Sequence, residues 1–230
     1  MVIMGLSFLE KEPLYLCPVG YAGYTYCSRE EACDHYPGRY QLEYSLYNWN
    51  DAFDLECASK SRLGLIGSIF FIGWMLGALV FPRLADLWGR KPIILGSFAA
   101  QLLVILMLLL ATNLETVYAA LFILGLKVSP GNQVSYVLML EFVEAKRRNC
   151  YGTTVLAAIG FQSVVLAGYY YLARDYRPML YINLLFTIIL FLAFLRVPES
   201  PRYYLARNKY ARARSIFAHI AGKNKKAMFS

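Results

Sequence analysis

The sequence predicts an all-α bundle of membrane-spanning helices, a polytopic membrane protein, and three observations carry that expectation. Hydrophobic residues make up 58% of the 230-residue chain and charged ones only 17%, far from the balance of a water-soluble domain. Uncharged runs of bilayer length recur along the chain, separated by short polar segments. The cations also fall on one side of that series. Segments 83–91, 146–148 and 198–230 hold 14 Lys and Arg, whereas 10–62, 113–115 and 174–177 hold 7. Acids are distributed the other way, with 11 in the second set of segments and 4 on the basic side (Asp86, Glu141, Glu144 and Glu199). Short loops rich in Lys and Arg stay in the cytoplasm, so the first set is expected there. The net charge of +8 then reflects topology, and no nucleic-acid partner is called for.

Taken in order, residues 1–9 are apolar but too short to cross a bilayer. They lack the basic start and small-residue cleavage site of a signal peptide, and read as the end of a truncated first transmembrane helix. Residues 10–62 form an extracellular loop rich in Tyr, acids and Cys, with turn signals at Cys17-Pro18, Val19-Gly20 and Pro37-Gly38. Cys17, Cys27, Cys33 and Cys57 all lie in this loop, on the side where disulfides persist, so a disulfide-tied cap is expected with its pairing open. Cys150 falls on the opposite side and is expected to be a free thiol. Five spans follow at 63–82, 92–112, 116–140, 151–173 and 178–195. Residues 196–230 form a basic cytoplasmic segment, helical over about 206–221 by pattern. Gly73 and Gly77 make a small-xxx-small pair suited to close helix packing, and Gly152, Gly160 and Gly168 are read as packing positions too.

The turn Pro-Arg-Leu-Ala-Asp-Leu-Trp-Gly-Arg-Lys, residues 82–91, places Asp86 at the end of one helix and Arg90 and Lys91 at the start of the next. Gly89 allows the turn to be tight, and Pro82 is expected to end or kink the helix before it. This segment resembles the signature loop between helices two and three of the major facilitator superfamily, Gly-x-Leu-Ala-Asp-x-x-Gly-Arg-Lys. Leu84, Ala85, Asp86, Gly89, Arg90 and Lys91 match, and Pro82 replaces the opening glycine. Ser135 to Val143, running through Glu141-Phe142 and followed by Arg147-Arg148, resembles the end of the fourth helix of organic cation transporters. Pro198-Glu199-Ser200-Pro201-Arg202 is similar to the motif after the sixth helix of sugar and organic ion transporters. Phe53 to Cys57 resembles the end of the long cysteine-containing loop of organic cation and anion transporters.

Together these resemblances imply a partial N-terminal six-helix half of a major facilitator fold, with a C-terminal half missing and the substrate lying between the two. They imply transport of a small, organic ion-like solute by alternating access across a lipid bilayer, most naturally the plasma membrane. They also imply a conformational switch built from Asp86, Gly89, Arg90, Lys91, Glu141, Arg148, Glu199 and Arg202. A sugar porter is the nearby alternative. A truncated, non-transporting membrane protein with an outer interaction loop is the distant one.

Polar residues within spans are the candidates for a substrate path. An unpaired ammonium at Lys127 would cost about 3 kcal/mol at mid-span, so it must meet water, the bundle interior or an acid. Asn132 and Gln133 extend that polar strip beyond the Pro130-Gly131 bend, and Gln162 is a weaker candidate. No nucleophile motif, Walker loop or metal-ligand spacing occurs, so neither an enzyme nor a cofactor or metal is expected.

Overall fold

The computed structural model of the chain describes residues 15–19, 23–28, 31, 33, 40, 41, 49, 53, 57, 59–173 and 175–228. The expected helix end at residues 1–9 lies outside them, as does the side chain of Cys27. The described helices are α1 (Lys60–Trp88), α2 (Arg90–Leu110), α3 (Leu114–Ser129), α4 (Ser135–Phe142), α5 (Arg148–Ala173), α6 (Arg177–Leu195), α7 (Pro201–Ala206) and α8 (Tyr210–Met228). A π-helical turn, Pro130–Val134, joins α3 to α4. Among the described residues, five helical stretches are long and apolar enough to cross a membrane: Ser61–Trp88, Arg90–Leu110, Leu114–Phe142, Arg148–Ala173 and Arg177–Leu195. The fold is the bundle of long apolar helices that the sequence predicts.

The two prolines act differently from a simple helix stop. α1 continues through Pro82 to Trp88. The proline's fixed φ is already helical, and only one intrahelical hydrogen bond is lost to its missing N–H. The helix ends instead at Gly89, whose φ of 106° lies where glycine alone is comfortable and whose N–H bonds the Ala85 carbonyl at 3.0 Å. At Pro130 the missing N–H shifts the ladder into the π turn, and the Ser135 hydroxyl donates to the Pro130 carbonyl at 3.5 Å.

α1 and α3 cross at close range. A Cβ added at Gly73 would strike the Phe122 carbonyl, one at Gly77 the Leu126 carbonyl, and one at Gly125 the Phe70 carbonyl. Three glycines therefore let two backbones meet, where attraction rests on dispersion alone because lipid is as apolar as leucine. Gly152 gives similar room to the Tyr136 hydroxyl, whereas Gly160 and Gly168 face open space.

Two apolar clusters fill the bundle. One joins Ile66 and Phe70 of α1, Val104 and Leu108 of α2, Leu121 and Leu124 of α3, and Leu166 and Tyr170 of α5. Trp49, which precedes α1, is buried in this same cluster with Phe53 packed against it. The second cluster, Ala85, Ile93, Ile94, Val134 and Leu138, lies towards the basic end.

Before α1 lies a small antiparallel sheet, order β2-β1-β3, of β1 (Tyr15–Val19), β2 (Gly23–Cys27) and β3 (Tyr40–Gln41). Its Tyr, Val and Thr content suits strands. Tyr15 pairs with Gln41 and Leu16 with Tyr40 of β3, while all five residues of β1 pair with β2. Cys33 and Cys57 form a disulfide across the loop, Cys17 is also disulfide-bonded, and Cys150 is free and exposed.

The crossing makes an asymmetric prediction. Gly73→Ala or Gly125→Ala should lower stability by about 1–3 kcal/mol through overpacking. Gly67→Ala, which points into open space, should change it by no more than about 0.5 kcal/mol. Thermal unfolding of the chain in detergent, followed by far-UV circular dichroism, separates the two. Equal effects at Gly67 and Gly125 would contradict the close crossing.

Candidate functional site

The charged residues at the basic end converge on one buried carboxylate. Glu141, near the end of α4, has a side chain only 4% exposed and forms an ion pair with Nη1 of Arg90, the first residue of α2. The Ser200 hydroxyl donates to the same oxygen of that carboxylate, Glu141 Oε2. It accepts in turn from Arg90 Nη1 at 3.4 Å and from the Tyr203 N–H at 3.3 Å. One hydroxyl thus serves α2, α4 and the first turn of α7, which it caps. Arg202 stands at the edge, with Nε 4.0 Å from Glu141 Oε1 and a side chain mostly in solvent.

Glu199 answers a separate electrostatic problem. α2 opens with two cations at the end where the helix dipole is positive, and its N-cap, Gly89, has no side chain to cap it. The Glu199 carboxylate supplies both missing elements. It accepts the backbone N–H groups of Arg90 at 3.0 Å and Lys91 at 3.1 Å, and that of Ser200 at 2.9 Å. Gly89 is required here for space as well as φ, since a Cβ would meet this carboxylate. The Lys91 ammonium donates to the Leu195 carbonyl at 2.9 Å, fastening the start of α2 to the end of α6.

Asp86 is the outer member of the group. It lies 3.6 Å from Arg90 with its side chain 74% exposed, so water screens the pair. Arg148 stands apart: its Nε is buried and has no hydrogen-bond partner among the described residues. The structure therefore gathers Asp86, Gly89, Arg90, Lys91, Glu141, Glu199 and Arg202 around one point. It adds Ser200, which sequence reasoning quoted inside a motif without giving it a role. Arg207 is a second addition, donating from Nη2 to the Leu87 carbonyl at the end of α1. No motif flagged it.

The in-span polar residues are less concentrated. Lys127 is half-buried one turn before the π turn and joins no ion pair among the described residues. Gln133 accepts from the buried Ser129 hydroxyl at 2.9 Å, and Asn132 is exposed beside it. Gln162, half-buried on α5, forms no hydrogen bond with them. The π turn itself is notable, because such bulges free backbone groups in the middle of a span.

Comparison with known proteins then decides the family. The profile of the family described as "Sugar (and other) transporter" matches residues 19–228. The chain belongs to that family. Among its relatives, this sugar (and other) transporter chain is 30% identical over 176 residues to Solute carrier family 22 member 2 of Rattus norvegicus, covering 76% of this chain and 32% of that protein. It is 31% identical over 190 residues to the Beta-alanine transporter of Drosophila melanogaster, covering 83% of this chain and 31% of the other. With Organic cation/carnitine transporter 4 of Arabidopsis thaliana the identity is 29% over 176 residues, 74% of this chain and 33% of the relative. The chain spans about a third of the length of the curated relatives it matches.

Burial ranks the acids of this transporter chain for stability. Glu199→Ala should cost about 1–2 kcal/mol by uncapping α2, and Gly89→Ala a similar amount through strain at positive φ. Asp86→Asn, at an exposed and screened pair, should stay within about 1 kcal/mol of wild type. Thermal unfolding in detergent checks the order. An Asp86→Asn loss equal to that of Glu199→Ala would contradict it.

Proposed function

We propose that the chain forms one half of a secondary-active or facilitative transporter that moves a small organic solute by alternating access, with the charged cluster serving as its conformational latch. The observation that carries this reading is the buried Arg90–Glu141 pair tied through Ser200 and Glu199 to the segment after α6, in a chain of the transporter family. Alternating access needs two halves that rock as units, with contacts at their ends that form and break. Asp86 and Arg202 lie at the exposed rim of the cluster, where a second half could exchange ion pairs with them. Glu141, Arg90 and Glu199 hold α2, α4 and α7 in register while that exchange occurs.

The basic end faces the cytoplasm in this reading, and the loop with its Cys33–Cys57 disulfide faces outward at the plasma membrane. Lys127, Asn132, Gln133 and Gln162 line part of the solute path, beside the π turn. The partners are the bilayer, the solute and the other half of the transporter. Membership in a transporter family supports reading the chain as something other than an enzyme. The relatives are named for beta-alanine and for organic cations and carnitine, which favours a small charged organic solute over a sugar.

Transport assays on the protein that joins this chain to its second half test the latch. Asp86→Asn should lower uptake, normalised to surface abundance, by up to about fivefold, the population shift expected from about 1 kcal/mol at a wetted pair. Glu141→Gln should lower it by tenfold or more, as the buried Arg90 loses its counter-charge. Wild-type uptake by both variants would leave these residues as topology signals only.

A further inference from the structure

From residue 200 onward the chain carries 8 Lys and Arg and no acid. Most of these residues lie on α8, a 19-residue helix whose two sides differ. Ala213 is buried, Ile216 is partly buried, and the rings of Phe217 and Tyr210 are largely exposed beside them. These four share one arc of the helix by its 3.6-residue period. Arg212 and Arg214, both exposed, flank that arc on either side. Positions 223 and 225, both lysine, fall eleven residues further on, three turns later, and so repeat the same two flanks. An apolar strip bordered by cations on both edges is the pattern of a helix lying in a membrane interface, where cation stems run along the strip and their heads reach phosphates.

Its attachment puts α8 at the right depth. α6 crosses the bundle and ends at Leu195, where the Lys91 ammonium holds its carbonyl. α7 follows within a few residues, and Arg207 ties its far end to the Leu87 carbonyl of α1. α8 therefore starts at the level where the spans leave the bilayer. Lys209 and Arg212 there line an open hollow of about 480 Å³ together with Asn208, Tyr210 and Ala211. Nothing acidic in the tail competes for these cations.

We propose that α8 is a docking surface for anionic lipid headgroups, seated by Phe217 and Tyr210 and held by Lys209, Arg212, Arg214 and the lysines of its last turns. The occupant is the membrane that carries the bundle. Charge complementarity selects anionic over zwitterionic lipid, and each cation near such a surface contributes about a fivefold preference. Binding would keep the elbow between α6 and α8 flat against the bilayer, and with it the segment that supplies Glu199 and Ser200 to the charged cluster.

The test is hydrogen–deuterium exchange across residues 210–228, with the chain reconstituted into nanodiscs of phosphatidylcholine alone or containing about 30% phosphatidylserine. Both disc faces carry the same lipid, so the outcome is independent of which end is cytoplasmic and of any transport activity. Exchange should slow by about tenfold or more in the anionic discs, and the slowing should disappear in about 0.5 M salt. Arg212→Gln with Arg214→Gln should remove most of the difference, whereas Arg212→Lys with Arg214→Lys should keep it. Equal exchange in the two disc types would overturn the proposal. So would a slowing that survives both high salt and the glutamine changes, which would mean a contact other than lipid phosphate.

Discussion

A carboxylate withdrawn from water at the end of a membrane bundle must be matched, and Glu141 sets that constraint here. Desolvating such a group costs several kcal/mol, and the attraction of one cation offsets this only when its remaining lone pairs are also satisfied. Arg90 supplies the charge and Ser200 the additional hydrogen bond. Each is available only because of a backbone event elsewhere. Arg90 reaches the site because Gly89 turns the chain in a single residue, and α2 tolerates cations at its N-terminus because Glu199 covers its free N–H groups. Ser200 is positioned because it caps α7. The helix ends, the turn and the buried pair form one dependent set.

The other half of the architecture depends on glycine. The α1–α3 crossing has no hydrophobic driving force in lipid, so it gains from proximity, and Gly73, Gly77 and Gly125 provide that proximity. The α1–α3 pair carries Asp86 at the basic end of α1, and α3 leads through the π turn into α4, which carries Glu141. Movement of this pair as a unit would connect a polar mid-span segment to the charged cluster without deforming either helix.

Much of this was legible in the sequence because its signals are local. Apolar length marks spans, and the three charged motifs sit where those spans end. What the sequence could not rank was burial. Asp86 and Glu141 look equivalent as letters, but one is in water and the other is sealed, a distinction made by helices more than fifty residues apart in sequence. Ser200 escaped a role for the same reason, as its partners lie on α2 and α4. Pro82 looked like a stop because propensity is a local rule, and packing along a long apolar helix overrode it. The short strands in a Cys- and Tyr-rich loop left no periodic stretch long enough to read, and the sheet is closed by a distant pairing, Tyr15 with Gln41 and Leu16 with Tyr40. Trp49 gave no sign that it would enter the bundle core rather than the loop's own.

The central claim is that Arg90 and Glu141 form a buried pair whose members need each other more than the fold needs either charge. A double-mutant cycle on thermal unfolding in detergent tests it directly, with Arg90→Met, Glu141→Leu and the combination. The account predicts that each single change costs about 3–5 kcal/mol, because it strands the opposite charge, and that the double change costs clearly less than their sum, by about 2 kcal/mol or more. Additive losses would show that the two side chains act independently and would contradict the account.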